Sequence, residues 1–563
     1  MKQVLKFLPL ALISLLVVSC ATKKKKDQSA NKLQSIDLLR GDIALCSSGE
    51  GQFGTVEFSL SCSEKVKANF NLATALLHSF EYVEAEKAFA KVIDEDPNCA
   101  MAYWGAAMCS FHPLWSPPSR EDLEKGSRII SVARSLEKSE RESDYLEAIA
   151  CIYDHWDKFD HRSRADKFEK ATEKIYEKYP GDKEAAIFYA LALRATADPT
   201  DKSFAKQKKA GKILINIFAS EPNHPGIAHY IIHTYDYPEL AELALPAARK
   251  YASIAAASAH AQHMPSHIFT RLGLWEESVK SNLNSISAAQ CYAQNLGIKG
   301  HWDEELHGMD YLVYAYLQQG QDDKASKQLE YLKTIGQVSP LNFKGAYTFA
   351  SIPARCALEQ KHWQEAAQLE LFPTNFPWQD FPWEKAIIHF GRILGAVHIN
   401  KLEEAKNELL QLHSIYDLLH ENSEKNYEAN QVLIQIKASE GWIQFAEGKK
   451  TEAVKLMTAA ADMEDATEKH PVTPGEVIPA RELLGDMYSE MNLPGKAVDA
   501  YKADLVRHPN RLNGLFGAGL AEQKLGNKRN ATSYFKQLLD ITNFPESKRA
   551  ELAVAQSFLK NNN

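Results

Sequence analysis

Apolar and small residues recur along this chain at helical spacing, and near the carboxyl terminus the recurrence is regular enough to count. The stretch "ARELLGDMYSEMNLPGKAVDAYKADLVRHPN" is followed by "LNGLFGAGLAEQKLGNKRNATSYFKQLLDITN" in the same layout. Gly485 and Gly519 stand 34 residues apart, as do Ala497 and Ala531, and Tyr501 and Phe535. A constant period of this length predicts units of two antiparallel helices that cannot bury their apolar faces alone and must stack. The small residues let the two helices approach closely, and the aromatic fills the gap to the next pair.

Leu484, Gly485, Tyr488, Ala497, Tyr501 and Pro509 fall at the consensus places of the tetratricopeptide repeat, so the chain resembles that superfamily. The template recurs less cleanly at Ala85, Phe89 and Pro97, at Ala354, Trp363 and Ala366, and at Gly441 and Ala453; residues 113–200 are more degenerate but helical in composition. Proline-rich breaks stand at "FPTNFPWQDFPW" (372–383) and "EKHPVTPGEVIP" (468–479). The predicted fold is all-α, an α-solenoid wound as a right-handed superhelix of tetratricopeptide-type pairs, about nine to eleven of them by length over period. The solenoid is expected over 67–467, a proline-rich linker over 468–480 and carboxyl-terminal repeats over 481–558.

The first residues break this pattern. Lys2 and Lys6 precede an apolar run from Phe7 to Val18, then Ser19 and Cys20. A charged start, a short apolar core and a small residue at the cut make residues 1–19 a secretory signal, too short to span a membrane. The ending "VVSC" resembles a bacterial lipobox, which implies acylation of Cys20 and anchoring through buried methylenes. Residues 20–40, with the lysine run after Cys20, read as a polar tether, and 41–66 as a short non-helical segment. The implied location is the cell envelope, lipid-anchored, with Ala21 compatible with an outer-membrane position facing the periplasm.

Composition adds little. The formal net charge of -8, without a dense basic patch, argues against a nucleic-acid partner. With Cys20 acylated, seven thiols remain, an odd number. In an oxidising envelope Cys46 and Cys62, bracketing a Gly- and Ser-containing segment, are the expected disulfide. Cys99, Cys109, Cys151, Cys291 and Cys356 lie in helical patterns and read as small core residues.

The candidate chemistry lies in "AHAQHMPSHIFTRLGLW", residues 259–275. With Ser278 at the repeat's small-residue place, His260, His263 and His267 share the face of the first helix that lines the concave groove. Ala244 fixes the preceding repeat, where His229, His233 and Asp236 take that face; His229 and His233 each stand 34 residues before His263 and His267. Ala325 fixes the next clear repeat, where His307, Asp310 and Tyr314 do so. Packed helices lie roughly 8 to 10 Å apart, a gap that two inward histidines can nearly close. Pro265 cannot donate a backbone hydrogen bond and fits a first helical turn, so His263 is expected to precede the regular helix.

Three readings of this wall stay open. It is a metal centre, with His229, His233, His263, His267 and His307 as candidate ligands for zinc or another divalent transition ion and Asp236 or Asp310 as a ligand or orienting group. It is a hydrogen-bonding floor for a small ligand, a peptide or a protein partner. Or its histidines are structural. His78 and His112, with Trp104 and Trp115, read as packing residues, and Trp378 and Trp383 as a hydrophobic plug. Asp198 and Asp201 are weak acid candidates in a turn. No "HExxH", phosphate loop, nucleophile elbow or paired-cysteine metal or haem motif is present.

The blocks "LLHSFEYVEAEKAF", "MAYWGAAM", "FHPLW", "HPGIAHYIIHTYD", "AQHMPSHIFTRLG" and "IPARELLGDMY" resemble a group of bacterial tetratricopeptide lipoproteins, with a distant similarity to tetratricopeptide repeat protein 38. That resemblance implies the fold and a shared pocket and brings no reaction with it. The expected function is an anchored envelope protein that binds a peptide, protein partner or small ligand in the groove. A metal-dependent, hydrolytic enzyme using the same histidines is the alternative, and a SusD-like glycan receptor the third. The sequence does not decide whether the chain is an enzyme.

Overall fold

The computed structural model describes residues 36–44, 46 and 52–562. The signal, Cys20 and the tether as far as residue 35 lie outside them. The fold is all-α, a solenoid of tetratricopeptide-type helix pairs, as the periodicity predicts. Two-residue strands at His301–Trp302 and Val338–Ser339, paired in parallel, are the only strands among the described residues.

The described residues form two compact units, one of residues 36–43 and 53–230, the other of 44, 46, 52 and 231–562. The division falls within the helix Pro225–Tyr235 and not at residue 468.

Unit one stacks the pairs Lys67–His78 and Tyr82–Glu95, Ala100–Cys109 and Arg120–Arg134, Glu140–Tyr153 and His161–Lys178, and Lys183–Ala195 and Ala205–Phe218. Local chemistry fixes several starts. Ser119 and Ser139 each accept from the backbone three residues on, while Asp122 and Glu142 reach back to the cap, a reciprocal pairing that satisfies otherwise orphaned amide groups. Asp198 and Asp201 hold turns through Thr200 and Ser203. Trp104 belongs to an aromatic core with Phe58, Tyr145 and Phe188, at centroid separations of 5.2 to 5.8 Å, and His112 packs on Tyr82.

Unit two begins with Ala241–Ile254 and ends with the two repeats read first in the sequence. Their register is as predicted. A Cβ at Gly485 would lie 2.6 Å from the Tyr501 ring, and one at Gly519 would lie 2.7 Å from Phe535, so both glycines mark close approaches. Trp378 and Trp383 are buried, Trp383 against Phe343 and Tyr347.

The cysteines correct one expectation. Cys46 and Cys62 do not pair. Cys62 bonds Cys99 in unit one, with Cα atoms 5.0 Å apart, and Cys46 bonds Cys291 in unit two, at 5.8 Å. Val56 and Phe58 explain the split. Both are buried, Phe58 among Phe70, Trp104 and Tyr145, so the segment after residue 52 is drawn into unit one while Ala44, Cys46 and Gln52 belong to unit two. Cys99 and Cys291 are thus half-cystines rather than core thiols; Cys109 and Cys356 are buried free thiols, and Cys151 is half-buried.

The segment 468–479 is non-helical, but it is not a spacer. It runs through the interior of unit two. Tyr311 donates to the Thr473 carbonyl at 2.9 Å, and Tyr347 and Arg355 donate to that of Gly475 at 3.1 and 2.8 Å. His470 sits among Phe343, Trp383 and Tyr427, and Lys469 is buried against Asp236. In unit two the chain's own residues 469–475 bond to side chains of the helices expected to line the groove. No helix among the described residues is long and apolar enough to cross a membrane.

Candidate metal centre

Three elements of unit two bring His263, His267 and His307 together: the helices Ala259–His263, Pro265–Arg271 and Asp303–Gln318. Ser258 caps the first by accepting from the Ala261 amide at 3.0 Å. Pro265 interrupts the hydrogen-bond ladder there, as expected, because it has no amide hydrogen to donate. Met264 nevertheless keeps helical torsions, so His263 and His267 remain one turn apart on one face. All three imidazoles are buried, at 0, 3 and 7% exposure, and each offers a nitrogen within 4.8 Å of the others.

The hydrogen bonds around the rings fix where the protons are. Asn282 donates its Nδ2 to the Ser278 carbonyl at 2.8 Å, which leaves Oδ1 facing His263 Nδ1 at 2.7 Å as an acceptor. His263 Nδ1 therefore carries the proton. His267 Nδ1 lies 3.0 Å from Asp236 Oδ2, and Tyr311, 3.3 Å away, spends its hydroxyl hydrogen on Thr473, so His267 Nδ1 also donates. Each ring is left with its lone pair on Nε2, and the two Nε2 atoms face each other at 3.0 Å.

Two lone pairs at that distance repel unless a cation lies between them. A proton is disfavoured. Burial pushes His263 well below the ordinary imidazole range and the neighbouring His267 pushes it further. Burial also lowers His267, against the pull of Asp236, and lowers His307 strongly, with His263 adding to it. Neutral imidazoles with converging lone pairs are what a divalent transition ion requires. A tetrahedral ion roughly 2.0 to 2.1 Å from each nitrogen sets its ligands about 3.3 Å apart, so a small opening of the pair seats one.

Behind the rings stands the support that metal-binding histidines usually have, a carboxylate or carbonyl holding the other ring nitrogen. Asp236 accepts from Arg271 Nε at 2.9 Å and Lys469 Nζ at 3.1 Å as well as from His267. Burial alone would raise its carboxyl, but Lys469 and Arg271 outweigh burial and hold it well below the usual range. Burial draws the Lys469 ammonium down to about 8 against the attraction of Asp236.

The remaining predicted residues are elsewhere. His229, in unit one, directs Nδ1 at the His78 carbonyl, 2.6 Å away, and packs on Phe80. His233 and His260 stack on each other in unit two with centroids 6.0 Å apart. Asp310 and Tyr314 are both engaged by arginines. Asp310 pairs with Arg355 and accepts from Ser351 Oγ at 2.7 Å, and Tyr314 accepts from Arg511, which also pairs with Glu359 and Glu482. Two buried arginines take up what the helical face offered.

Sequence reasoning missed Asn282, Tyr311, Arg271 and Lys469. Tyr311 was legible, one turn beyond His307 on the same face; Asn282 and Lys469 carried no local signal. It also missed a second cluster in unit one, where Glu184 lies between His78 and His224.

No family model matches the chain. No curated protein matches it either. Among solved structures, the human IFIT1 dimer with m7Gppp-AAAA is similar at 11% identity and a TM-score of 0.34, over 86% of this chain and 96% of that one. The APC/C hetero-tetramer Cut9–Hcn1 is similar at 13% identity and a TM-score of 0.26, over 88% and 89%.

Proposed function

We propose that this chain is a transition-metal-binding helical-repeat protein of the cell envelope, anchored through acylated Cys20, that holds a divalent ion with His263, His267 and His307. One observation carries the reading: two buried Nε2 lone pairs face each other at 3.0 Å while both Nδ1 atoms are committed to Asn282 and Asp236. An all-imidazole set suits zinc, copper or nickel better than calcium or magnesium. Three protein ligands leave a fourth position, which is where hydrolytic chemistry on a bound substrate would begin.

The test is elemental analysis of the untagged, full-length protein purified in detergent. Wild type is expected to carry one equivalent more than the His263→Ala/His267→Ala variant, with both folded by circular dichroism. Equal metal in the two would sink the assignment. Mass spectrometry of the amino-terminal peptide tests the anchor separately; an unmodified Cys20 removes it.

A second reading, recognition of an extended peptide, has one observation in its favour. The unit-two interior holds residues 473–475 through hydroxyl and guanidinium donors aimed at main-chain carbonyls, a mode indifferent to side chains. It predicts that a synthetic peptide of residues 468–480 binds in trans to a variant whose own segment is replaced by a Gly/Ser linker of equal length. No binding by the folded variant removes it.

A further inference from the structure

We propose that unit one holds a second, chemically different site for a divalent transition ion, formed by His78, Glu184 and His224. His78 closes the helix Lys67–His78, Glu184 lies in the first turn of Lys183–Ala195, and His224 directly precedes Pro225–Tyr235. One carboxylate oxygen lies 2.9 Å from His78 Nε2 and the other 2.9 Å from His224 Nε2. The three residues are buried, at 0, 4 and 5% exposure, and offer ligand atoms within 4.8 Å of one another.

Placement is the reason to look beyond an ordinary hydrogen-bonded triad. Three side chains that can each offer one ligand atom converge in a buried place. Among the described residues, Glu184 forms its ion pairs with those two rings and with no lysine or arginine. The neighbouring Arg141 is engaged by Asp182. His224 Nδ1 is buried without a hydrogen-bond partner, so nothing on that side of the ring fixes which nitrogen carries the proton.

A divalent cation would draw one lone pair from each of the three groups. With its proton on Nδ1 each ring would offer Nε2 as the ligand atom, and His78 Nδ1 would donate to the Tyr230 hydroxyl, 3.0 Å away. Three features keep the site narrow and dry. Phe188 stacks on His78 at 5.0 Å, the His224 ring packs edge-on at 4.8 Å, and a Cβ at Gly226 would lie 2.5 Å from His78 Nδ1. Two imidazoles and one carboxylate favour intermediate first-row ions such as iron(II), manganese(II), cobalt(II) or zinc over calcium or copper(I). The all-nitrogen set of unit two is softer, so the sites differ in preference.

Cobalt(II) titration of the untagged, metal-stripped full-length protein, read by visible absorption and equilibrium dialysis, tests this. The His263→Ala/His267→Ala variant is expected to keep an equivalent that the further change Glu184→Gln abolishes. Glu184→Gln alone is expected to lose one equivalent while the unit-two site persists. If Glu184→Gln binds as many equivalents as its parent, with affinities within twofold in both backgrounds, the triad is a structural ion pair and the proposal falls. Loss only in the unit-two variant would overturn this site and leave the unit-two reading standing; loss only with Glu184→Gln would do the reverse. Should Glu184→Gln misfold, Gly226→Ala is the second variant: its added Cβ displaces His78 without replacing any ligand residue, and it is expected to weaken cobalt binding at least tenfold. Unchanged affinity in the folded Gly226→Ala protein also refutes the proposal.

Discussion

Asp236→Asn should reduce both metal affinity and fold stability, and the two losses can be measured separately. The carboxylate accepts from His267, Arg271 and Lys469 at 2.9 to 3.1 Å. Asparagine keeps the shape but removes the charge that fixes the His267 proton on Nδ1. Losing such an outer support typically weakens metal binding about 10- to 100-fold, or about 1.4 to 2.7 kcal/mol. The apo fold suffers independently, because two buried cations lose their common anion. Removing one partner of a buried pair costs about 3 to 5 kcal/mol, and the lower end applies because the asparagine oxygen still accepts a hydrogen bond. Chelator competition measures the first quantity, and urea unfolding of the metal-free protein by tryptophan fluorescence the second. A variant with metal affinity within twofold of wild type would refute the orienting role of Asp236. Unchanged apo stability would refute the ionic one.

The other predictions are shorter. Peptide mapping without reduction should recover Cys46 joined to Cys291 and Cys62 joined to Cys99; a Cys46–Cys62 peptide would mean that residues 44–62 stay together. Burial lowers all three unit-two imidazoles below 6.5, so protons compete with metal only at lower pH; affinity should stay flat as pH falls from 8 to 6.5, and a decline centred on 6.5 would contradict their burial. Lys469 holds its proton less tightly folded, at about 8, than unfolded, near 10.5, so the unfolded state binds more protons in that window. Stability should therefore rise as pH goes from about 8 to 10.5, and Lys469→Met should flatten the rise. Gly519→Val should cost about 1 to 3 kcal/mol by forcing Phe535 aside, visible as early loss of the last repeats in hydrogen exchange.

What was legible in the sequence was whatever repeats. Gly485 against Tyr501 and Gly519 against Phe535 follow from a period, because the same close approach recurs in each pair. His263, His267 and His307 were legible by the same logic, since helical spacing decides which side chains share a face. Asp310 and Tyr314 passed that test too, yet their partners Arg355 and Arg511 come from later helices, and no local pattern shows which charges will meet. The cysteines failed for a related reason: proximity in sequence favoured Cys46 with Cys62, while the burial of Phe58 separates them. Glu184 looked like any acidic residue in a first helical turn. Lys469 sat in a stretch whose prolines announced a loop but not that the loop would be interior.

That interior loop gives the chain a sense of time. Asp236, Tyr311 and Tyr347 precede residues 469–475 by more than a hundred positions, yet they complete their hydrogen bonds only when that late segment arrives. Pairings so distant in sequence form late, after the local helix pairs. A chain still being made, or cut short before residue 468, can assemble its central helices and bring the histidines near one another. It lacks the lysine that holds Asp236 and the carbonyl that holds Tyr311, and with them the last constraints on His267. On the proposed reading, readiness to hold an ion would thus mark a chain made at least as far as residue 475, and metal retention would report on that stage as much as on the ligands.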